Sequence, residues 1–435
     1  MNGIRILLTD TKRWAVGVRI GMVFAEMGCE VGMLCAVEGH PAHTVCAIRH
    51  RFAYDGFKPI TSLRSAMEQF RPDLVIPTCD RGVAHLHKLH AEERAHGNAS
   101  IADCIEHSLG PAKSFAIVSN RHEFLKLAAA EGVRIPATMP LRDEAGLLRA
   151  EMLGLPLVIK ADGTWGGSGV RIARSTAEAR DAFEALRSTR GVLRLLKELA
   201  LNRDRGNTLH DWRSARPALI AQAYVEGRPA NCAVACRDGN VLAAIAVEVT
   251  ATNGSQGPAS VVEVVEGREM VAAAERIVRR LRLSGFFGFD FMVEQTTGAA
   301  YLIEMNARST PPCSLKLGRG KNLPAAMWAS LAGTPEPQTE TVTALSRIAY
   351  FPRFAANLAD LNLPLWSYYY DVPEGEPDFV DLLLNQWPDR SLLGQWLDAR
   401  RGIDRGTAVR ARFMARRASR RTVESGEKQL QTGTD

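Results

Sequence analysis

A lysine at the end of an apolar run is followed by a glycine-rich segment in "PLVIKADGTWGGSGVRIARS", residues 156–175. The apolar run ends at Lys160, and four glycines then follow within seven residues: Gly163, Gly166, Gly167 and Gly169. A lysine held at a strand end can direct its ammonium group at an anion. Glycines let backbone N–H groups approach phosphate oxygens without interference from side chains. The lysine precedes the glycines, so the spacing is not that of a P-loop. The pattern indicates a phosphate-binding flap, with a glycine-rich hairpin turn as the alternative.

A second segment, residues 285–315, contains two carboxylates and an amide. Its sequence predicts two strands joined by the turn "QTTGAA". Asp290 lies on the first strand, in "FDF", and Glu304 and Asn306 lie on the second, in "LIEMNAR". Residues two apart on a strand point to the same face, so Glu304, Asn306 and Arg308 line one surface, with Asp290 across from them. Two carboxylates and an amide oxygen are the ligands that Mg²⁺ needs when it bridges nucleotide phosphates. A charged outer face is a poor alternative because both carboxylates interrupt strongly apolar strands.

The N-terminal part of the chain alternates short apolar strands with helices, beginning with "IRILLTD" and "RIGMVFAEMGCEVGMLC". This alternation predicts a parallel sheet covered by helices. No GxGxxG follows the first strand, so dinucleotide binding is not supported. Asp80, in "PTCD", follows another predicted strand. Since ligands of such sheets gather at strand ends, Asp80 either faces a ligand or caps the next helix.

Composition and charge narrow the class of protein. The 435 residues are 46% hydrophobic and 23% charged, as in globular proteins, and no run of 18 apolar residues predicts a membrane span. No signal peptide is recognisable, and the eight scattered cysteines predict a reduced, cytoplasmic protein. Of the net charge of +6, residues 400–421 supply +8, which leaves the rest of the chain near −2. This basic tail lacks a nucleic-acid-binding module, and we expect neither nucleic acid nor membrane as a partner.

The lysine strand with its glycine loop, the "GFFGFDF" strand and the "LIEMNAR" strand, in this order, resemble the ATP-grasp superfamily. The closest likeness is to the branch that contains biotin carboxylase and carbamoyl phosphate synthetase, and it covers roughly residues 1–340. The resemblance implies an α/β fold that begins with a Rossmann-like pre-ATP-grasp domain, residues 1–110. A two-lobed ATP-grasp domain follows at 111–340, with a mobile lid at about 155–225. Residues 341–435 form a small C-terminal module with the basic tail.

The resemblance also implies roles for particular residues. Lys160 and Arg121 match the residues that contact the nucleotide phosphates, and Asp290, Glu304 and Asn306 match the metal ligands. Arg308 matches a position that steadies the reacting phosphoryl or acyl-phosphate group. The remaining nucleotide-binding positions belong to the flap and to the hinge "QAYVEG": Gly166, Gly167, Ser168, Gly169, Gln222, Ala223, Val225 and Glu226.

One position departs from the family pattern. Relatives commonly have an acidic residue shortly after the hinge glycine, where it binds the ribose hydroxyls, and this chain has Pro229 there. Glu226 and Asn231 are the candidates to replace it. The ribose contact is therefore the part of the nucleotide site that the sequence leaves open.

The implied activity is ligation, in which ATP, with Mg²⁺ or Mn²⁺, converts a small-molecule carboxylate to an acyl-phosphate that an amine or related nucleophile attacks. Bicarbonate activation and non-catalytic nucleotide sensing are the alternatives. Lys316 and Arg319, in a loop after the metal strand, are candidates to hold a second carboxylate, with a solvated loop cation as the alternative for each, and Lys316 is a candidate catalytic residue. A homodimer is compatible with the superfamily.

Overall fold

The computed structural model describes residues 3–36, 39–162, 169–187, 218–253, 257–356 and 367–386. The predicted flap residues Gly166, Gly167 and Ser168 lie outside these ranges, as do the basic tail and residues 188–217 of the predicted lid. Within the described ranges, every helix is too short or too polar to span a lipid bilayer.

The first sheet has four parallel strands in the order β3-β2-β1-β4, with helices between them. Its strands are β1 (Arg5–Thr9), β2 (Glu30–Cys35), β3 (His50–Ala53) and β4 (Leu74–Pro77). Its helices are α1 (Ala15–Glu26), α2 (Pro59–Phe70), α3 (Asp80–Ala95) and α4 (Ala99–Leu109). Thr9 pairs with Pro77, so the carboxyl ends of the central strands meet at one edge of the sheet. The predicted parallel α/β unit is therefore present.

A smaller antiparallel sheet carries the lysine strand and has the order β5-β8-β6-β7. Its strands are β5 (Thr138–Leu141), β6 (Leu157–Ala161), β7 (Val170–Ala173) and β8 (Leu219–Ala223). Two short helices precede it, α5 (Phe115–Val118) and α6 (Arg121–Ala130), and α7 (Glu144–Ala150) and α8 (Thr176–Arg187) lie between its strands in the chain. Apolar residues of α7 and α8 pack against the strands in one core, which holds β6 in place.

The third and largest sheet has seven strands in the order β13-β12-β9-β10-β11-β14-β15. Its strands are β9 (Gly227–Arg237), β10 (Asn240–Thr252), β11 (Ala259–Val265), β12 (Gly285–Glu294), β13 (Ala300–Asn306), β14 (Arg347–Tyr350) and β15 (Tyr369–Asp371). The associated helices are α9 (Arg268–Leu281), α10 (Leu323–Ala332), α11 (Arg353–Ala356) and α12 (Pro377–Gln386). Residues after 340 thus add two strands to the sheet that carries the predicted metal ligands.

Side-chain alternation along β12 decides which residues face the core. Phe287, Phe289 and Phe291 are almost fully buried and belong to the same apolar cluster as Ile277 of α9. Because successive side chains of a strand point to opposite faces, Asp290 faces away from this cluster. Burial of each phenylalanine stabilises the fold by roughly 1.5–3 kcal/mol, and the same packing holds Asp290 in position.

Replacement of Phe289 by alanine tests this packing. We expect Phe289→Ala to lower the free energy of unfolding by about 3–5 kcal/mol, because a cavity replaces a fully buried ring. Urea denaturation monitored by circular dichroism measures the change. Phe57, whose side chain is 64% exposed, supplies the control Phe57→Ala, for which we expect a loss of less than about 0.5 kcal/mol. Similar losses in both variants would contradict the assignment of the core.

Candidate functional site

The hairpin of β12 and β13 brings the two predicted carboxylates face to face. Asp290 pairs with Glu304 in the antiparallel register, and Gly288 pairs with Asn306. The Nδ2 atom of Asn306 donates to Asp290 Oδ2 at 2.9 Å, and Nδ2 of Asn231, on β9, donates to Asp290 Oδ1 at 2.6 Å. The structure therefore brings together the three predicted metal ligands and adds an asparagine from the neighbouring strand.

An irregularity in the hairpin brings the lysine strand into contact with it. The register shifts after the Asp290–Glu304 pair, so that Phe291 pairs with Leu302 and Ile303 is left as the extra residue. The carbonyl oxygen of Ile303 accepts a hydrogen bond from Nζ of Lys160 at 3.5 Å. Bulges of this kind redirect the backbone and are frequent next to active sites. Here the bulge places a backbone carbonyl of the third sheet against the Lys160 side chain of the smaller sheet.

Arg121, the first residue of α6, joins the same two elements through its guanidinium group. It donates to the carbonyl oxygen of Ala161 at 3.1 Å, at the end of the lysine strand, and forms an ion pair with Glu304. A second carboxylate, Asp162, lies 3.4 Å from Arg121 Nη1. Arg121 and Lys160, which the resemblance assigns to the nucleotide phosphates, are therefore side by side next to the carboxylates.

Burial and charge shift the pKa values of these groups. Burial lowers the pKa of Lys160 to about 8, and Arg121 contributes in the same direction, while Glu304 and Asp290 oppose the shift. Burial also raises the pKa of Asp290 above its ordinary value, and the adjacent charge of Glu304 raises it further. An anion bound next to Lys160 would favour the charged form of the lysine. A cation between Asp290 and Glu304 would reduce the repulsion between the two carboxylates.

Arg308 connects the hairpin to the edge of the first sheet. Its Nε donates to Oδ1 of Asp80 at 3.0 Å, its Nη2 donates to Oδ1 of Asn306 at 3.1 Å, and its Cζ lies 5.7 Å from the ring centroid of Trp14. Asp80 is the first residue of α3, at the carboxyl end of β4. The sequence left Asp80 as either a helix cap or a ligand-facing residue, and the structure assigns it the contact with Arg308.

The oxygens around Asp290 fit a hard divalent cation. The carboxylates of Asp290 and Glu304 are accompanied by the amide oxygens of Asn306 and Asn231, and the buried Oδ1 of Asn231 has no hydrogen-bond partner in the described chain. Mg²⁺ and similar ions prefer such an all-oxygen set. No cluster of three or more histidine, cysteine and acidic residues occurs in the described ranges. Beside the two carboxylates, the other oxygens of this set are amide oxygens, and that of Asn306 accepts from Arg308.

A cavity of about 740 Å³ lies at the predicted hinge. Three predicted nucleotide-binding residues line it, namely Ala223, Val225 and Glu226. Its other lining residues are Ile135, Pro136, Ala137, Pro156, Tyr224, Glu294, Gln295, Thr296 and Tyr301. Tyr301 and Glu304 both belong to β13, so one strand connects the cavity with the carboxylate cluster.

Three predicted residues are not brought into these sites. Gln222 is 2% exposed and is absent from the cavity lining, and its side chain donates to Oγ1 of its cross-strand neighbour Thr138 at 3.1 Å. Lys316 forms an ion pair with Glu26 of α1, with Nζ 2.6 Å from Oε2. Arg319, the other loop cation, is exposed.

Some residues of the site were not predicted. Asp162 follows the lysine strand directly, so its position two residues after Lys160 was the available signal. Asn231 had been considered for the ribose, and its actual partner is Asp290 because β9 pairs with β12 in the register that opposes them. Tyr224 and Tyr301 carried no signal apart from their place next to predicted residues. Such cross-strand neighbours depend on register, which the sequence of one strand does not specify.

Comparison with known proteins gives one family match. The family described as carbamoyl-phosphate synthase L chain, ATP binding domain, matches residues 120–312. This range extends from the start of α6 to just beyond Arg308, and it contains the lysine strand, the hinge and the β12–β13 hairpin. No curated protein sequence matches the chain significantly.

Several solved structures are similar in fold. The biotin carboxylase domain of Hydrogenobacter thermophilus 2-oxoglutarate carboxylase, in complex with MgADP, ADP and bicarbonate, is 15% identical (TM-score 0.55), with 78% of this chain and 72% of that chain covered. N5-carboxyaminoimidazole synthetase from Staphylococcus aureus, complexed with ADP, is 12% identical (TM-score 0.54; coverage 77% and 79%). The L-amino acid ligase from Bacillus licheniformis is 14% identical (TM-score 0.50; coverage 76% and 75%). These likenesses confirm the fold class predicted from the sequence.

The contact between Asp80 and Arg308 leads to a stability prediction. We expect Asp80→Ala to lower the free energy of unfolding by about 1–2 kcal/mol, because it leaves a largely buried guanidinium without its carboxylate. The 39% exposure of the Asp80 side chain keeps the loss below that of a fully buried pair. Chemical denaturation measures the change in the free energy of unfolding.

A matched control is Asp103→Ala, which removes an exposed ion pair with Arg94. Exposed pairs contribute little, so we expect a loss of at most about 0.5 kcal/mol. If the two variants were equally stable, Asp80 would not hold Arg308 in the folded protein.

Proposed function

We propose that this protein, which has the ATP-grasp fold, is an ADP-forming ligase that activates a small-molecule carboxylate and couples it to an amine or a related nucleophile. The observation that carries the proposal is the convergence of two cations, Lys160 and Arg121, with two carboxylates, Asp290 and Glu304, beside Arg308. Four separate segments of the chain supply these side chains, with Glu304 and Arg308 on the same one. A purely structural ion-pair cluster would not need a hinge cavity on the same strand.

The spacing along β13 suits an extended nucleoside triphosphate. Tyr301 lines the cavity and Asn306 belongs to the carboxylate cluster, five residues further on. At about 3.3 Å per residue the two lie roughly 17 Å apart along the strand. We propose that the base occupies the cavity between Tyr224 and Tyr301 and that the phosphates extend toward Lys160. Solved structures of similar fold that contain ADP or MgADP support nucleotide binding by this fold.

The ribose contact is assigned by elimination. Pro229 has no donor or acceptor side chain, and Asn231 is bound to Asp290. Glu226 lines the cavity next to the proposed base site. We therefore propose Glu226 as the residue that accepts hydrogen bonds from the ribose hydroxyls.

Asp290, Glu304 and Asn306 would hold Mg²⁺ or Mn²⁺, which when bound would neutralise charge on the β- and γ-phosphates. Lys160 and Arg121 would bind phosphate oxygens and orient the nucleotide for in-line transfer. Binding of a polyanion would release Arg121 from part of its ion pair with Glu304. The glycine-rich segment 163–168, outside the described residues, is proposed to cover the phosphates and exclude water.

The proposed chemistry has two steps. A carboxylate oxygen attacks the γ-phosphorus, the bond to the β–γ bridging oxygen breaks, and ADP leaves. The amine nitrogen then attacks the acyl carbon, the carbon–oxygen bond to phosphate breaks, and the amine loses a proton. Arg308, between Asn306 and Asp80, is proposed to steady the acyl-phosphate by hydrogen bonds to its oxygens.

An ADP-release assay with pools of carboxylic acids and amino acids tests the proposal. Turnover that requires both an acid and an amine would support a ligase. Turnover that requires bicarbonate would favour the carboxylase alternative, for which the bicarbonate in the H. thermophilus structure is the supporting observation. Nucleotide binding without turnover in any pool would contradict the proposal in favour of a sensor. The predicted cytoplasmic location and homodimer stay predictions.

Neutralisation of a proposed metal ligand tests the carboxylate pair. We expect Glu304→Gln to lower kcat about 100-fold or more, because the site loses one of its two anionic metal ligands. Steady-state ADP release at saturating Mg²⁺ measures the change. Glu266→Gln, at an exposed residue paired with Lys321, is the control and should retain full activity. Equal activity of both variants would contradict the metal assignment.

Removal of the buried lysine charge tests phosphate binding. We expect Lys160→Met to weaken binding of a non-hydrolysable ATP analogue about 10–100-fold, since a charge-assisted hydrogen bond contributes about 1.5–3 kcal/mol. Isothermal titration calorimetry with Mg²⁺ present measures the affinity. Lys321→Met removes a surface lysine and should leave it unchanged. Unaltered affinity in Lys160→Met would remove the lysine from the nucleotide site.

A further inference from the structure

Arg353, at the start of α11, is a largely enclosed cation without an acidic partner among the described residues. Its single hydrogen bond within the described structure runs from Nη1 to the carbonyl oxygen of Ala259 at 3.4 Å. No carboxylate of the described residues lies within ion-pair distance of it. Burial lowers the pKa of Arg353, and the positive charge of Arg308 lowers it further, against the effect of Tyr350. An arginine stays protonated even so, and a buried charge without a counter-ion is costly.

Two buried hydroxyl groups near this arginine also lack partners. The Oη atom of Tyr350 and the Oγ atom of Ser309 have no hydrogen-bond partner in the part of the chain that the structure describes. Tyr350 is 4% exposed and Ser309 is 0% exposed. Buried polar atoms are hydrogen-bonded in the great majority of cases, so unpartnered groups require an explanation. A bound ligand that accepts hydrogen bonds would supply one.

Packing brings several of these groups into one part of the fold: Tyr350, Cys313 and Phe354, the residue after Arg353, belong to the same buried cluster. Burial raises the pKa of Tyr350, the charge of Asp371 raises it further and Arg353 opposes the shift, so this phenol is a protonated donor. Arg308 in turn influences the pKa of Cys313 and of Arg353. Ser309 is the residue after Arg308. Two guanidinium groups and two hydroxyl donors thus lie in one part of the fold. Of the two guanidinium groups, Arg308 has a carboxylate partner among the described residues, Asp80. Asp371, whose charge acts on Tyr350, is paired with Arg19.

We propose that Arg353, Tyr350 and Ser309 form a subsite, beside Arg308, for a carboxylate of the substrate that does not react. A planar carboxylate can accept two parallel hydrogen bonds from a guanidinium group and further bonds from hydroxyl donors. Since Arg308 contacts Asn306 of the metal cluster, the subsite adjoins the proposed reaction centre. That the anion belongs to a substrate rests on the proposed function.

Such a subsite would restrict the class of substrate. The acid that is activated would be a dicarboxylate, or the nucleophile would be an amino acid whose own carboxylate is bound. The guanidinium and hydroxyl groups would bind the carboxylate of either substrate in the same way, and separate probes distinguish the two. The role of holding a second carboxylate, expected from the sequence at Lys316 or Arg319, moves to Arg353 because Lys316 is paired with Glu26 and Arg319 is exposed.

Thermal unfolding of the full chain tests the proposal with succinate and with L-alanine as probes, each with and without an ATP analogue and Mg²⁺. We expect at least one probe to raise Tm in the unmodified protein, with no shift in Arg353→Met and a reduced shift in Arg353→Lys. Tyr350→Phe should weaken binding of the same probe about tenfold. Arg347→Gln is the control, because Arg347 lies on β14 and faces Glu263 at the surface, and it should keep the full shift.

The ligand-free proteins provide a second readout. We expect Arg353→Met to be at least as stable as the unmodified protein, because an apolar side chain of similar length replaces an unpaired buried charge. A Tm several degrees lower would show that Arg353 is structural and overturn the proposal. So would a shift that persists in Arg353→Met, no shift with either probe, or a shift with phosphate alone. Absence of a nucleotide-induced shift would instead contradict the proposed function and leave the carboxylate result to be judged by itself.

Discussion

The pairing of Asp290 with Glu304 across the β12–β13 hairpin is the constraint on which the rest of the site depends. Two carboxylates on adjacent strands repel each other and are partly removed from water, so the fold must offset their charge. It does so from three directions: Arg121 from α6, Lys160 from the smaller sheet and Arg308 from the chain just after β13. The packing of Phe289 on the opposite face of β12 keeps the pair from separating.

This arrangement connects the three sheets at one place. Arg308 contacts Asp80 at the carboxyl edge of the first sheet, and Lys160 contacts the bulge at Ile303 in the third. The backbone N–H of Ser309 donates to the carbonyl of Pro77 at 3.1 Å, which holds the chain after β13 against that edge. A ligand bound among these groups would contact all three sheets at once.

The balance of positive and negative charge differs between the two ends of the proposed substrate site. Near Asp290 the cations and carboxylates are matched, as suits a site that receives a metal ion together with phosphates. Around Arg353 the cation has no acidic partner in the described chain, and buried hydroxyls add donors but no acceptor charge. A matched cluster is compatible with an unliganded resting state, whereas an unmatched one indicates that the missing charge arrives with a ligand.

The sequence alone determined the elements and the chemistry of the main site, because those signals are local. A lysine at a strand end, glycines after it and carboxylates in alternation on apolar strands are legible within a few residues. Tertiary structure alone decided which distant groups meet. Strand register turned Asn231 toward Asp290, and Lys316 paired with Glu26. Arg353 has no carboxylate partner among the described residues, in a module where the sequence indicated no site. Register and packing depend on contacts between segments far apart in the chain, and no single segment encodes them.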